Sequence, residues 1–127
     1  MELENIEARQ LFTVTELDTA QRMGSGSLDV LGTPRLVAMM EATACAAVEG
    51  RLSDGETSVG VRIDIQHLAA SAVGASVAVT AVLKGQDGRK LHFHIEAYCN
   101  GTLIGRAEHD RVAVNAQRFM DKLSQGL

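Results

Sequence analysis

The spacing of hydrophobic and polar positions changes period several times along the chain. Residues 11–16 (Leu-Phe-Thr-Val-Thr-Glu) alternate and read as a first strand. Residues 17–32 show no period, and Gly24-Ser25-Gly26-Ser27 marks a loop. From Leu36 to Val48 the chain is nearly all apolar, with Glu41 as its sole charge. Thr33 as N-cap and Pro34 at the first helical position open a helix there. It runs to about Glu49, roughly four turns, and Gly50 suits the stop. A helix apolar on every side is normally a buried one.

After Ser53-Asp54-Gly55-Glu56 the period becomes two. Val59, Val61, Ile63 and Ile65 alternate with Gly60, Arg62, Asp64 and Gln66, and His67 continues the apolar parity. Residues 75–84 form another strand, and Gln86-Asp87-Gly88-Arg89 is a hairpin turn. Residues 90–99 set Leu91, Phe93, Ile95, Ala97 and Cys99 on one face and His92, His94, Glu96 and Tyr98 on the other. Asn100-Gly101 turns the chain again, residues 102–114 give a long last strand, and the tail from Asn115 to Leu127 adds a short turn of helix.

One strand, one buried helix and four strands joined by tight turns make a single domain over residues 1–127. An antiparallel meander needs one face covered, and only one long helix is available to cover it. The economical architecture is α+β: a curved antiparallel sheet wrapped around one central helix, the hot-dog arrangement. A cystatin-like roll competes, but it usually carries a more amphipathic helix.

Composition narrows the function. Hydrophobic residues make up 46% and aromatics only 3%, so the core is aliphatic and a base-stacking platform is not expected. The net charge is −4 without a basic cluster, which argues against a nucleic-acid partner. Cys45 and Cys99 lie in apolar stretches and read as reduced core thiols. The acidic start Met1-Glu2-Leu3-Glu4-Asn5 lacks the apolar segment of a signal peptide, and no apolar run is long enough to span a membrane. A cytoplasmic, soluble domain is expected.

Within this pattern Glu41 stands out. A carboxylate in an apolar helix is unfavourable by several kcal/mol unless something pairs with it, and such groups mark functional sites. Thr33 and Glu41 are eight residues apart, about 80° around the helix axis, so one side of the helix serves both. The helix start also offers free N–H groups to an anionic oxygen. His67 has inward parity. If its strand packs on the helix, a hydroxyl, a carboxylate and an imidazole converge. Arg111, if inward, needs a carboxylate partner. Gly60, Gly101 and Gly105 in or beside strands suggest bulges or close backbone approach. The alternating pair His92 and His94 has no third ligand near it, and His109 stands alone, so a solvated or interface face is expected instead of a metal site. No phosphate loop, dinucleotide fingerprint or serine elbow is present.

Gly32-Thr33-Pro34, Met40-Glu41-Ala42-Thr43-Ala44-Cys45, Gly55-Glu56-Thr57-Ser58-Val59-Gly60-Val61, His67-Leu68-Ala69-Ala70 and His109-Asp110-Arg111-Val112 together resemble the fluoroacetyl-CoA thioesterase family of hot-dog proteins. The likeness also takes in Val73-Gly74, Gly88-Arg89-Lys90-Leu91 and Ile104-Gly105, and extends over roughly residues 10–123. The resemblance implies a catalytic set of Thr33, Glu41 and His67. It implies a strand glycine, Gly60, whose backbone helps seat the thioester carbonyl, with Arg111 also on the substrate side. It implies an acyl-CoA substrate, no metal or organic cofactor, and a homodimer or higher oligomer with sites near the subunit interface. Members selective for the fluorinated substrate carry phenylalanines in a segment just before the helix, whereas Asp18 to Gly32 contains no aromatic residue. A general or different short-chain acyl thioesterase is therefore expected, with a noncatalytic acyl-CoA binding module as the alternative.

Overall fold

A computed structural model describes residues 3–126; Met1, Glu2 and Leu127, part of the expected domain and of its two ends, lie outside the described residues. The elements are β1 (Glu7–Thr13), a 3-10 turn (Glu16–Asp18), α1 (Ala20–Met23), α2 (Thr33–Val48), β2 (Glu56–His67), β3 (Ser76–Asp87), β4 (Lys90–Cys99), β5 (Thr102–Asn115) and α3 (Ala116–Ser124). All five strands join one antiparallel sheet in the order β1-β3-β4-β5-β2, and α2 lies against one face of it. This is the expected hot-dog arrangement.

Local chemistry explains most of the elements. At the β4–β5 turn Asn100 and Gly101 both take positive φ (51° and 79°), the pairing that a two-residue turn between right-twisted strands requires. Between β3 and β4 the turn residues are Gly88 and Arg89, and only Gly88 takes positive φ (60°), the first central position of a type II′ turn. Helix α2 directs Leu36, Met39, Met40, Thr43, Ala44, Ala47 and Val48 at the sheet, the three- and four-residue spacing of one helical face. They meet Val77, Val79, Ala81, Leu91, Phe93, Ile95, Ala97, Ile104 and Ala107. Each fully buried large side chain contributes about 1.5–3 kcal/mol. Gly105 lets helix and sheet approach closely: a Cβ there would stand 2.9 Å from Leu36 Cδ2.

Four expectations change. The first strand is Glu7–Thr13, not 11–16; it is an edge strand in which Leu11 faces outward, 64% exposed, so outward leucine hid the register. The 17–32 stretch is not a plain loop. Asp18 caps Thr15, pairs with Arg35 Nε at 2.9 Å, and so ties the 3-10 turn to α2. Helix α2 is capped by Gly32, not Thr33, which leaves the Thr33 hydroxyl free for other work. The helix is also not buried all round. Ala42, Cys45 and Glu49 are exposed and Ala38, Glu41 and Ala46 half-exposed, so Cys45 is no core thiol.

The largest departure is in β2. A β-bulge falls between Gly60 and Arg62, where Gly60 opposes Arg111 and Arg62 opposes Asp110. Val61 is the surplus residue and is 57% exposed. A bulge shifts the two-residue parity by one. Before it Ser58 and Gly60 face the helix; after it Ile63, Ile65 and His67 do. Simple alternation puts Val59 and Val61 inward, which the bulge prevents.

Candidate active site

Two groups of polar side chains face the helix side of the sheet. The first is built on the bulge. Glu41, in the middle of α2, points Oε2 at Arg111 Nη1, which donates to it at 3.2 Å. The Glu41 side chain is 40% exposed and that of Arg111 only 7%. Arg111 also donates through Nε to Ser58 Oγ at 2.8 Å, through Nη2 to the Ser58 carbonyl at 3.0 Å, and through Nη1 to His109 Nε2 at 3.1 Å. A fork held at this many points has little freedom to swing.

His109 is buried, and its Nδ1–H donates to the Arg62 carbonyl at 2.7 Å. That bond leaves Nε2 as the acceptor that Arg111 uses. Burial lowers the His109 pKa below its ordinary 6.5, so the ring is neutral at neutral pH and does not compete with Arg111 for Glu41. Gly60 completes the group. A Cβ there would lie 2.5 Å from Glu41 Oε2 and 3.2 Å from Arg111 Nη1. Only bare backbone allows the carboxylate to rest against the strand.

The second group is at the start of α2. Thr33 Oγ1 and His67 Nδ1 are 2.8 Å apart. His67 Nε2 is buried and has no hydrogen-bond partner. Burial, offset in part by the Ala69 backbone, lowers the His67 pKa below 6.5. Both side chains line a cavity of about 310 Å³ whose other walls include Ala20, Val30, Leu31, Leu68 and Ala69. No phenylalanine lines it.

The three residues singled out in the sequence therefore do not converge within one chain. Thr33 meets His67, while Glu41 lies eight residues along the helix, about 12 Å at 1.5 Å per residue, among Arg111, His109 and Gly60. Arg111 does meet the carboxylate that its inward position demands. His109 is buried, against the expectation of a solvated ring. Its odd-numbered parity, shared with Arg111, Ala107 and Gly105 on a strand whose inward face runs unbroken past the bulge, is the signal that places it inside.

On the outer face of the sheet His92 and His94 hold carboxylates, with no metal-type cluster among the described residues. His92 Nδ1 meets Asp110 at 2.6 Å and its Nε2 meets Glu108 at 2.9 Å. His94 Nδ1 meets the other Glu108 oxygen at 2.5 Å, and its Nε2 meets Glu96 at 3.1 Å. The hydrogen bond to Asp110 raises the His92 pKa above 6.5, and the one to Glu108 raises that of His94. The same contacts lower Asp110, Glu108 and Glu96.

The pH dependence follows in sign. The histidine contribution is complete below 6.5 and is lost as pH rises through the raised values. The carboxylate contribution is present above the ordinary carboxylate range and is lost as pH falls through the lowered values. His67 and His109, whose values burial lowers, act in the opposite sense: their contribution is present above 6.5 and is lost as pH falls through the lowered values. The diagnostic is therefore a difference. Wild type should lose a few degrees of Tm relative to His92→Gln/His94→Gln between pH 6 and pH 8. Parallel melting curves across that interval would refute the charge-assisted network.

The family model described as fluoroacetyl-CoA-specific thioesterase matches residues 14–117. A fluoroacetyl-CoA thioesterase of Streptantibioticus cattleyicolor is 33% identical over 97 residues, covering 76% of this chain and 70% of that protein. A solved point mutant of a fluoroacetyl-CoA-specific thioesterase, in complex with fluoroacetate and CoA, superposes with a TM-score of 0.87 at 28% identity, over 93% of this chain and 97% of the other. A Thermus thermophilus thioesterase superfamily member superposes with a TM-score of 0.89 at 26% identity, over 97% and 91%. The chain thus belongs to the fluoroacetyl-CoA-specific thioesterase family.

Proposed function

We propose that this thioester hydrolase cleaves a small acyl group from CoA, at a site assembled from Thr33 and His67 of one subunit and Glu41, Gly60 and Arg111 of another. The observation that carries the proposal is the seat of Glu41. Its carboxylate is fixed by a buried arginine and a bare glycine, yet the Glu41 side chain as a whole stays 40% exposed. A fixed, accessible carboxylate is what activation of a water needs.

Dimerisation supplies the missing half. β2 is an edge strand of twelve residues, and a long exposed edge favours pairing with another chain. Beside it, α2 exposes Ala42 and Cys45. Two β2 edges paired antiparallel about a two-fold near Ile63 and Asp64 bring His67 of one copy opposite Gly60 of the other. Thr33 and His67 then approach Glu41 across the interface. The two free thiols suit a reducing cytoplasm. No described helix is long and apolar enough to cross a membrane.

In this reading the thioester carbonyl lies at the start of α2, with the acyl group in the small aliphatic cavity beside Thr33. His67 Nδ1–H donates to Thr33 Oγ1, which turns the threonine O–H toward the carbonyl oxygen. Glu41 takes a proton from water as the water oxygen bonds to the carbonyl carbon. The oxyanion accepts from the hydroxyl and the backbone N–H of Thr33; the N–H groups of Gly32, Arg35 and Leu36 already donate to the Asp18 and Gly32 carbonyls, and Pro34 has none. As the C–S bond breaks, Glu41 returns the proton to the departing CoA thiolate. Thr33, His67 and the cavity fit a short, unfluorinated acyl chain, since no phenylalanine lines the cavity to discriminate one.

The test is a panel of acyl-CoA esters of increasing chain length, followed by thiol release. Acyl groups of about two to four carbons should be hydrolysed with kcat/KM within the usual enzymatic range of about 10⁴ M⁻¹s⁻¹ or above. Tight binding of acyl-CoA with no thiol released would favour a noncatalytic binding module instead.

A further inference from the structure

CoA is a long substrate whose far end must rest well away from Glu41; the assignment of that end depends on the acyl-CoA reading of the site. Between the open side of α2 and the first half of β2 runs a groove of about 620 Å³. Ala42 and Ser58, neighbours of Glu41 and Arg111, line its inner part, and Ser53, Asp54 and Glu56 line its outer end. The same three residues form one wall of a second cleft of about 500 Å³. Its opposite wall is α3 and the turn before β4, which contribute Arg89, Arg118, Phe119 and Lys122. The two spaces thus share Ser53, Asp54 and Glu56 between them.

The second cleft has an unusual charge for this molecule. The chain as a whole is acidic at −4, yet three cations gather in one cleft, and none of Arg89, Arg118 and Lys122 joins an ion pair among the described residues. Phe119 stands among them, 39% exposed, with a face free to stack. The two acids lie on the groove side, and Glu56 is already engaged, accepting from the Ser53 N–H at 3.1 Å. Cations around an exposed ring suit a phosphorylated nucleoside: the charges meet phosphates and the ring meets the base.

The reach agrees. Glu56 precedes Gly60 by four residues of strand, about 13 Å at 3.3 Å each. The pantetheine arm of CoA, about thirteen bonds from sulfur to the first phosphorus, equals roughly four extended residues, or about 14 Å. We propose that the α3 cleft docks the 3′-phosphoadenosine diphosphate end of CoA. Arg89, Arg118 and Lys122 bind its phosphates and Phe119 stacks on the adenine. The neutral arm lies in the groove, where its amide N–H groups pass Asp54 and Glu56.

Arg118→Ala/Lys122→Ala tests this, with kcat and KM measured for one acyl group carried on CoA, on 3′-dephospho-CoA and on pantetheine. The expected result is a rise of about tenfold in KM for acyl-CoA, a smaller rise for the dephospho form, and a kcat/KM for acyl-pantetheine equal to that of wild type. An equal loss on all three thioesters, or no loss on acyl-CoA, overturns the assignment. Calorimetry with adenosine 3′,5′-bisphosphate gives a readout independent of turnover. Should wild type cleave no thioester, the hydrolytic reading fails; binding of the bisphosphate that the double variant loses then still supports the cleft, and no binding to wild type removes it.

Discussion

Glu41→Gln and His67→Ala are each expected to lower kcat by about 10²–10³-fold, the size typical of losing a general base or of disordering an oxyanion donor. A heterodimer of the two variants should regain about half of the wild-type rate. Pairing by two-fold symmetry gives it one site carrying both substitutions and one carrying neither. Two affinity tags and sequential purification isolate that heterodimer, and thiol release measures it. The geometry makes this a demanding test. The Thr33–His67 pair sits at the start of α2 and Glu41 at its middle, about 12 Å along the axis, and in the proposed site a second copy brings them together. An inactive heterodimer whose two chains are folded and paired would show that each site is confined to one chain.

Arg111→Met is expected to have the largest effect on stability. The guanidinium is buried and makes four hydrogen bonds, to Glu41, His109 and twice to Ser58. Removing one partner of a fully buried pair is unfavourable by about 3–5 kcal/mol. Glu41 keeps substantial access to water, so about 2–3 kcal/mol is the appropriate scale here. For a domain of this size that lowers Tm by about 10 °C, and thermal unfolding followed by circular dichroism reads it. Activity should fall as well, because the carboxylate loses its anchor. A Tm within about two degrees of wild type would mean that water replaces the guanidinium at no real loss.

Much of this architecture is legible in the residues, and what escapes has physical causes. Asn100-Gly101 and Gly88 announce their turns because few other residues accept the backbone they need. The alternation in 90–99 is clean because β4 lies at the centre of the sheet, with one face on the helix and one in solvent. β1 is harder, since an edge strand tolerates Leu11 on its outer side. The Thr33-Pro34 signal locates the helix start to within one residue but points to the wrong cap, because Gly32 serves as well as threonine and frees the hydroxyl for His67.

Site residues follow the same division. An isolated carboxylate and an inward arginine each demand a partner, and their mutual demand is readable. The separation of Thr33 and His67 from them is not, since a helix of sixteen residues outreaches any one cluster of side chains. Alternation does not reveal the bulge, but a glycine inside the strand, Gly60, does signal one; the three-dimensional register then shows that Val61 is the added residue. His109 escapes for a related reason: taken as a lone imidazole it looks solvated, and only the face it shares with Arg111 puts it inside.

The surplus residue in β2 has one more consequence. Helix-facing positions are even-numbered before Val61 and odd-numbered after it, so the strand behaves as two independent rulers meeting at a pin. The end that cradles the acid and the end that presents the imidazole can drift in sequence separately, each keeping its own frame against the unbroken neighbour strand. A lineage could remodel the pocket for a bulkier acid at one end while leaving the water-activating end untouched.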